Sequence, residues 1–335
     1  METLKAASWM RAGMRTPRSA ALALAYWSGM AGRARREQGV ARILRYHGTP
    51  RSKAAELERQ LRYLKRHFTV VSLGELASAL GGPAARFARK LVLTFDDGLR
   101  NNLEVAYPIL QRLGLPATFF VCPGNIEHRK WLWTQEARQR MRFAAPGLRQ
   151  ELGVQLRAPV DPDGFVAWMK TLDPTALRAA EKALRDATRR YSPSPAEHHE
   201  YDIAGWEELR ALDSALITIG SHTMTHAILP CLPANDIERE LGESRRTIQD
   251  RLQQPADFFA YPNGDTNELA VRRVRRHYRA AVQDTVAWVG PFSDAHRLPR
   301  LAPPRGVLRL ALKLHRGAGA GSTEDIDAAC ATPYR

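Results

Sequence analysis

The sequence predicts an α/β fold on a parallel sheet, either open or closed into a barrel. Three observations carry this expectation. Apolar runs alternate with helical stretches over about 250 residues, the pattern of parallel strands joined by crossover helices. The runs are rich in β-branched and aromatic residues, as strands buried on both faces are. Polar clusters stand just after several runs, at strand carboxyl ends, where parallel α/β folds place their chemistry.

In chain order, RILRYH (42–47) reads as the first strand, and AAELERQLRYLKRH (54–67) sets Leu57, Leu61 and Leu64 at helical spacing. FTVVSL (68–73) is a second strand, followed by the short segment GELASAL. KLVLTF (90–95) is a third; NNLEVAYPILQRLG is a helix stopped at Gly114, and PATFFVC (116–122) is a buried strand. Residues 125–200 break this rhythm. There DPTALRAAEKALRDATRRY is strongly helical, with Asp173 as N-cap and Pro174 at the first helical position. Irregular Pro-containing stretches surround it, so the segment reads as an insertion covering one end of the domain.

Alternation resumes with the helix GWEELRAL, the strand LITIGSH (216–222), a long helix from Asp236 to Leu252 and the strand DFFAYP (257–262). A helix follows whose start is assigned to Asp265 and Glu268, three apart as a capping box requires. RAAVQD (279–284) reads as the final strand. The layout is a helical, basic N-terminal segment (1–40), one domain (41–315) with its insertion, and a tail (316–335).

Composition narrows the function classes. The chain has 335 residues, 44% of them hydrophobic, enough for a large core and against disorder or fibre. Lys and Arg exceed Asp and Glu by 15, and the isoelectric point is near 10.2. Such a balance favours anionic partners. The arginines are scattered, however, with dense groups only at Arg33–Arg36 and Arg272–Arg276, and the tryptophans do not line up with them. Solvated helix faces account for that better than a nucleic-acid groove. Cys122, Cys231 and Cys330 are too far apart and too few for a disulfide framework. The apolar part of the N-terminal segment, Ala20 to Trp27, falls short of the roughly 20 residues a spanning helix needs. It reads as a packed helix, or as one lying on an anionic membrane surface; its basic, bulky flanks make a poor leader, so a cytoplasmic or inner-membrane-peripheral location is favoured over secretion.

The chemistry-bearing residues fall at four strand ends: Tyr46-His47, Asp96-Asp97-Gly98, SHTMTH (221–226) and AYPNGD (260–265). His222 and His226 are four apart, so a single helical turn would let both imidazoles share a cation. A carboxylate from another strand end would complete a facial three-ligand set with open positions, which is the form of a catalytic site. Adjacent aspartates then make chemical sense. One ligates the metal, and the other stays free to take a proton from the attacking water.

TFDDG (94–98), SHTMTH and YPNG (261–264), in this order and spacing, resemble the first three motifs of the polysaccharide deacetylase family, carbohydrate esterase family 4, also called the NodB-like domain. The resemblance runs from about residue 40 to about residue 315. It implies an α/β fold of the distorted (β/α) barrel type with a helical insertion, and hydrolysis of N-acetyl groups from an N-acetylated sugar or polysaccharide. It also implies a divalent cation, often zinc. Carried over position by position, Asp96 is the general base, and Asp97, His222 and His226 are the metal ligands.

Two departures matter. The family commonly has an arginine where Ala260 stands; FAYPNGD instead resembles the poly-N-acetylglucosamine deacetylase branch, in which Tyr261 and Pro262 would help wall the groove and the Asn263 N–H would face the oxyanion. Arg300 is then the candidate to hold Asp96, or else a surface arginine beside a proline turn. The family's Leu-x-His motif is not matched by LKLHRG around His315, where Lys313 takes the leucine position. In that branch the histidine sits on an N-terminal strand, which makes His47 the expected general acid and His296 the reserve. Trp131 and Trp133 could stack on sugar rings or pack within the insertion. A non-catalytic glycan-binding module on the same fold is the alternative, though it would be expected to lack a ligand. A non-haem iron oxygenase fits poorly, because its His-x-Asp spacing is missing.

Overall fold

The computed structural model describes residues 39–315. The N-terminal segment with its possible membrane contact, Arg33–Arg36, Cys330 and the 316–335 tail fall outside the described residues. The first half of the fold runs β1 (Arg42–Tyr46), α1 (Ala54–His67), β2 (Thr69–Val70), α2 (Leu73–Ala79), β3 (Lys90–Phe95), α3 (Tyr107–Leu113) and β4 (Ala117–Val121). Six helices follow: α4 (Pro123–His128), α5 (Trp133–Phe143), α6 (Pro146–Leu156), α7 (Pro162–Met169), α8 (Pro174–Ala187) and α9 (Pro195–Tyr201). The chain then returns through α10 (Trp206–Arg210), β5 (Ile217–Ser221), α11 (Ala234–Leu252), β6 (Phe258–Ala260), α12 (Glu268–His277), β7 (Ala280–Gln283), β8 (Leu298–Pro299) and α13 (Val307–His315).

All strand pairs are parallel, in the order β1-β3-β4-β5-β6-β7-β8. β2 joins β3 at Lys90 and Leu91, on the edge that β4 takes up farther along. The sheet closes on itself: Leu301, just past β8, accepts from Arg45 N–H and donates to the Ile43 carbonyl, each at 3.0 Å. The fold is therefore a distorted barrel. Its last strand, β8, is two residues long and was not anticipated, since Leu-Pro has no periodicity to read.

Strand alternation decides what enters the barrel. Ile43, Val92, Phe120, Phe258, Val282 and Leu298 form one buried cluster inside it, whereas Leu44, Leu93, Phe95, Phe119 and Ile219 pack outward under the helices. Gly220 leaves room for the Phe120 ring, which an added Cβ would meet at 2.5 Å. Two residues beyond the plug, the same parity aims Arg45, Thr94, Asp284 and Arg300 inward. His47, Asp96 and His222 share that parity at the carboxyl ends. The apolar plug thus carries a polar layer, and the mouth lies above it.

Local chemistry explains the helix boundaries. Leu57, Leu61 and Leu64 bury one face of α1 as their spacing demands. The Asp173 side chain accepts from Thr175 and Ala176 N–H, capping α8, and Gly114 ends α3 at φ 61°. The start of α12 differs from expectation: its N-cap is Asn267, whose side chain accepts from Ala270 N–H, while Asp265 is drawn to Asn263 instead. The Arg272–Arg276 group lies on α12, where Arg273 meets Glu238 and Arg275 meets Asp294. The α4–α9 insertion builds its own core around Met141, Phe165, Met169 and Leu184.

Candidate metal centre

Asp97, His222 and His226 converge. One ligand atom from each lies within 4.8 Å of the other two, and all three side chains are buried. Both imidazole Nε2 atoms stand 3.7 Å from Asp97 Oδ1. Alternation alone would point Asp96 and Asp97 to opposite faces. Left-handed backbone at Asp97 (φ 76°) breaks it, so two consecutive carboxylates both reach the mouth.

The two histidines meet by a turn, and no helical turn forms between them. Thr223 and His226 have positive φ (63° and 59°), and the rings lie edge to face with centroids 4.9 Å apart. The Glu240 carboxylate, from α11, accepts from Met224 N–H (2.8 Å), Thr225 N–H (3.0 Å) and the Thr225 hydroxyl (2.8 Å). It satisfies donors that a left-handed turn cannot pair internally.

The donor set suits a cation. His222 Nδ1 lies 2.8 Å from the Ala260 carbonyl, so Nδ1 carries the proton and Nε2 presents a lone pair. Burial lowers the proton affinity of both histidines, leaving them neutral at pH 7. Asp97 Oδ1 is buried without a hydrogen-bond partner, as is His226 Nδ1. Lone pairs aimed at one another repel unless positive charge lies between them. A divalent cation fits that requirement, with nitrogen and oxygen ligands of the borderline type zinc accepts. Burial, then the neighbouring charge of Asp96, pushes the Asp97 carboxyl up to about 7, which marks the same demand.

Asp96 is in the opposite electrostatic state. Burial would raise it, but Arg300, with His222 and His47, holds it below the usual carboxylate range. The Arg300 guanidinium donates to both Asp96 oxygens (2.7 and 2.8 Å), to Thr94 Oγ1 (3.1 Å) and to Asp284 Oδ1 (3.2 Å). Asp284 also pairs with Arg45. Arg300 is fully enclosed, so the surface-arginine alternative is ruled out.

His47 follows β1 at the mouth and keeps solvent access. The crowded rim nonetheless lowers its proton affinity, opposed by Asp96 and reinforced by Arg45, Arg300 and His222. His296 is engaged elsewhere: its Nε2 faces the Tyr278 carbonyl at 2.9 Å. Tyr261 is fully buried, edge-on to Phe259, with its hydroxyl on the His296 carbonyl, so it does not line a groove. Asn263 is left-handed (φ 60°); the turn's own bonds use Gly264 N–H and Asp265 N–H, leaving the Asn263 N–H out of them. Its side chain accepts from Lys170 and donates to Asp265 Oδ2 at 2.5 Å. Cys122 is an inert thiol, buried against the His222 carbonyl with its pKa raised by burial.

Several participants were not foreseen from sequence. Gln135 Nε2 donates to Asp97 Oδ2 (3.1 Å), and Trp133 Nε1 donates to the His226 carbonyl (3.1 Å). Trp131 instead packs within the insertion, against Tyr201 and His198, with its Nε1 on Asp202. Lys170, Glu240 and Asp284 complete the unforeseen set. Parity along β7 would have marked Asp284; nothing local marks the others.

The sequence pattern described as polysaccharide deacetylase matches residues 85–152 and 163–282. YxkH of Bacillus subtilis (strain 168), named as a polysaccharide deacetylase, is 35% identical over 49 residues, 15% of this chain and 18% of that protein. Several solved structures resemble the fold. The deacetylase PplD of Streptococcus pyogenes, in complex with acetate, aligns with TM-score 0.56 at 17% identity, over 83% of this chain and 99% of its own. For BC0361 of Bacillus cereus, a polysaccharide deacetylase, the values are 0.53, 16%, 83% and 69%. For IcaB of Ammonifex degensii they are 0.52, 16%, 83% and 97%.

Proposed function

The chain belongs to the polysaccharide deacetylase family, and from that premise we propose that it is a metal-dependent hydrolase removing N-acetyl groups from an N-acetylated sugar polymer. The observation that carries this reading is the buried Asp97–His222–His226 cluster with the ionised Asp96–Arg300 pair beside it. The likeness to acetate-bound PplD supports the fold, and the family supports the reaction class.

In this reading Asp97, His222 and His226 hold a divalent cation, zinc being the first candidate. When bound, it supplies Lewis-acid polarisation of the acetamide carbonyl and makes water easier to deprotonate. Asp96 accepts the proton of the attacking water, and Arg300 keeps that carboxylate ionised and aimed. The Asn263 N–H, free of the turn's own bonds, donates to the developing oxyanion, a contribution of about 3–4 kcal/mol in comparable sites. His47 would deliver a proton to the departing nitrogen, which is otherwise a very poor leaving group; because the rim lowers its proton affinity, it must take that proton up during turnover rather than carry it at rest.

The partner is an N-acetylated glycan. A non-catalytic binding module is disfavoured, because all three candidate ligands are present and assembled. The direct test is acetate release from N-acetylglucosamine oligomers, with metal content measured on the same preparation. Chelator should abolish release and added Zn2+ restore it. A zinc-loaded preparation that releases no acetate from any N-acetylated glycan would sink the proposal.

A further inference from the structure

Two of the three candidate ligands are held by a segment outside the strand ends. Helix α5, within the insertion, opens with Trp133 and Gln135, both buried. Trp133 Nε1 donates to the carbonyl of His226, pinning a left-handed residue at the end of the ligand turn. Gln135 Nε2 donates to Asp97 Oδ2, so only Oδ1 is left to face the two imidazoles. The partners lie 93 and 38 residues away, which places loops from two different strands under one helix turn. Lys170, at the end of α7, ties the insertion to a third loop through Asn263.

The Gln135 amide also carries a cost that reveals its purpose. Facing a carboxylate, it must present its N–H, and this leaves Oε1 buried with no partner. An unsatisfied buried acceptor is destabilising, and an apolar side chain of similar shape would avoid it. The arrangement makes sense if the donor to Asp97 is what matters. We propose that Gln135 and Trp133 are positioning residues of the metal centre, so that the insertion is part of the ligand scaffold as well as a cover for one end of the barrel. The inference rests on the reading of Asp97, His222 and His226 as ligands.

The test uses the full chain with Q135M, which keeps length and removes the donor, and W133F, which removes the N–H together with part of the indole's packing in the insertion core. Q139M is the reference: Gln139 lies one turn on and donates to the Tyr201 hydroxyl. Zn2+ affinity is measured by competition with a chromophoric chelator, and thermal midpoints are taken on the metal-free proteins. Outer partners of metal ligands commonly contribute about 10–100-fold in affinity. Q135M should bind Zn2+ more weakly by about that factor with a metal-free midpoint like that of Q139M, whereas W133F should lose Zn2+ affinity beyond the fall in metal-free stability that its lost core packing causes. The visible spectrum of Co2+-loaded Q135M should also shift, because its carboxylate ligand is no longer oriented. Equal Zn2+ affinity in all three variants would overturn the inference. So would a loss of affinity matched by an equal fall in metal-free stability, which is the mark of a packing role. Failure of the wild type to bind Zn2+ is a different result, and would overturn the ligand assignment itself.

Discussion

Arg300 closes on both oxygens of Asp96, at 2.7 and 2.8 Å, with neither side chain reaching solvent. The two belong to opposite ends of the domain, 204 residues apart, and meet because β8 completes the barrel that β3 helps to begin. One residue along, Asp97 has no such partner on Oδ1 and is pushed the other way. Two neighbouring carboxylates with opposed proton affinities are what a division of labour between base and ligand requires.

Arg300→Met should therefore be severe. It leaves Asp96 ionisable, buried and uncompensated, a loss of about 3–5 kcal/mol in comparable pairs. Adding Asp96→Asn to the same chain should recover part of that loss, since the unpaired charge is then gone. Urea denaturation of the wild type, both single variants and the double variant measures the coupling. Strictly additive effects would mean that the pair is not an energetic unit.

Asp96→Asn and His222→Ala should fail differently. The first leaves all three ligands in place, so the protein keeps Zn2+ while turnover falls by about 10²–10⁴. The second removes a ligand, and both Zn2+ and turnover are lost. Metal analysis beside acetate release separates them. Asp96→Asn hydrolysing substrate at the parental rate would dismiss Asp96 as the base.

The parallel α/β sheet was legible because its strands are apolar on both faces and its helices are periodic; Leu91 to Phe95 and Ala117 to Val121 leave little choice, whereas closure into a barrel came only with the family resemblance. The polar layer was half legible, since residues at strand ends declare themselves when two acids or two histidines stand together. What stayed hidden depends on distance. Leu298–Pro299 becomes a strand only beside β7, and Gln135 becomes a carboxylate's partner only after the insertion folds over Asp97. The path of the turn from His222 to His226 was hidden for a related reason: Glu240, 14 residues beyond His226, satisfies its amides and makes helix unnecessary.

Zn2+ affinity should rise with pH. In the metal-free protein the Asp97 carboxyl titrates near 7, raised first by burial and then by Asp96. Below that value a proton occupies the ligand and the cation must displace it. Apparent affinity should then grow by about tenfold per pH unit up to about 7 and level off above it. His222 and His226, both lowered by burial, add no proton competition near neutrality. Chelator competition across this range measures the slope; a flat profile would argue that Asp97 does not ligate.

Gly264 carries the final prediction, because it joins the YPNG turn to the Arg300 network. It has φ 75°, and a Cβ there would lie 2.4 Å from Asp284 Cβ and 2.8 Å from Asp284 N. Asp284 in turn supports Arg300 and Arg45. Gly264→Ala should therefore incur the left-handed penalty of about 1–2 kcal/mol and a further overpacking cost of about 1–3 kcal/mol. Gly114 is the control. It too is left-handed (φ 61°), but nothing lies within 4 Å of its added Cβ, so Gly114→Ala should incur the conformational cost alone. Turnover should fall only in Gly264→Ala, through the displaced Asp284 and the loosened Arg300–Asp96 pair. If the two variants lose equal stability and keep equal turnover, Gly264 serves backbone geometry only, and the path from this turn to the base carries no weight.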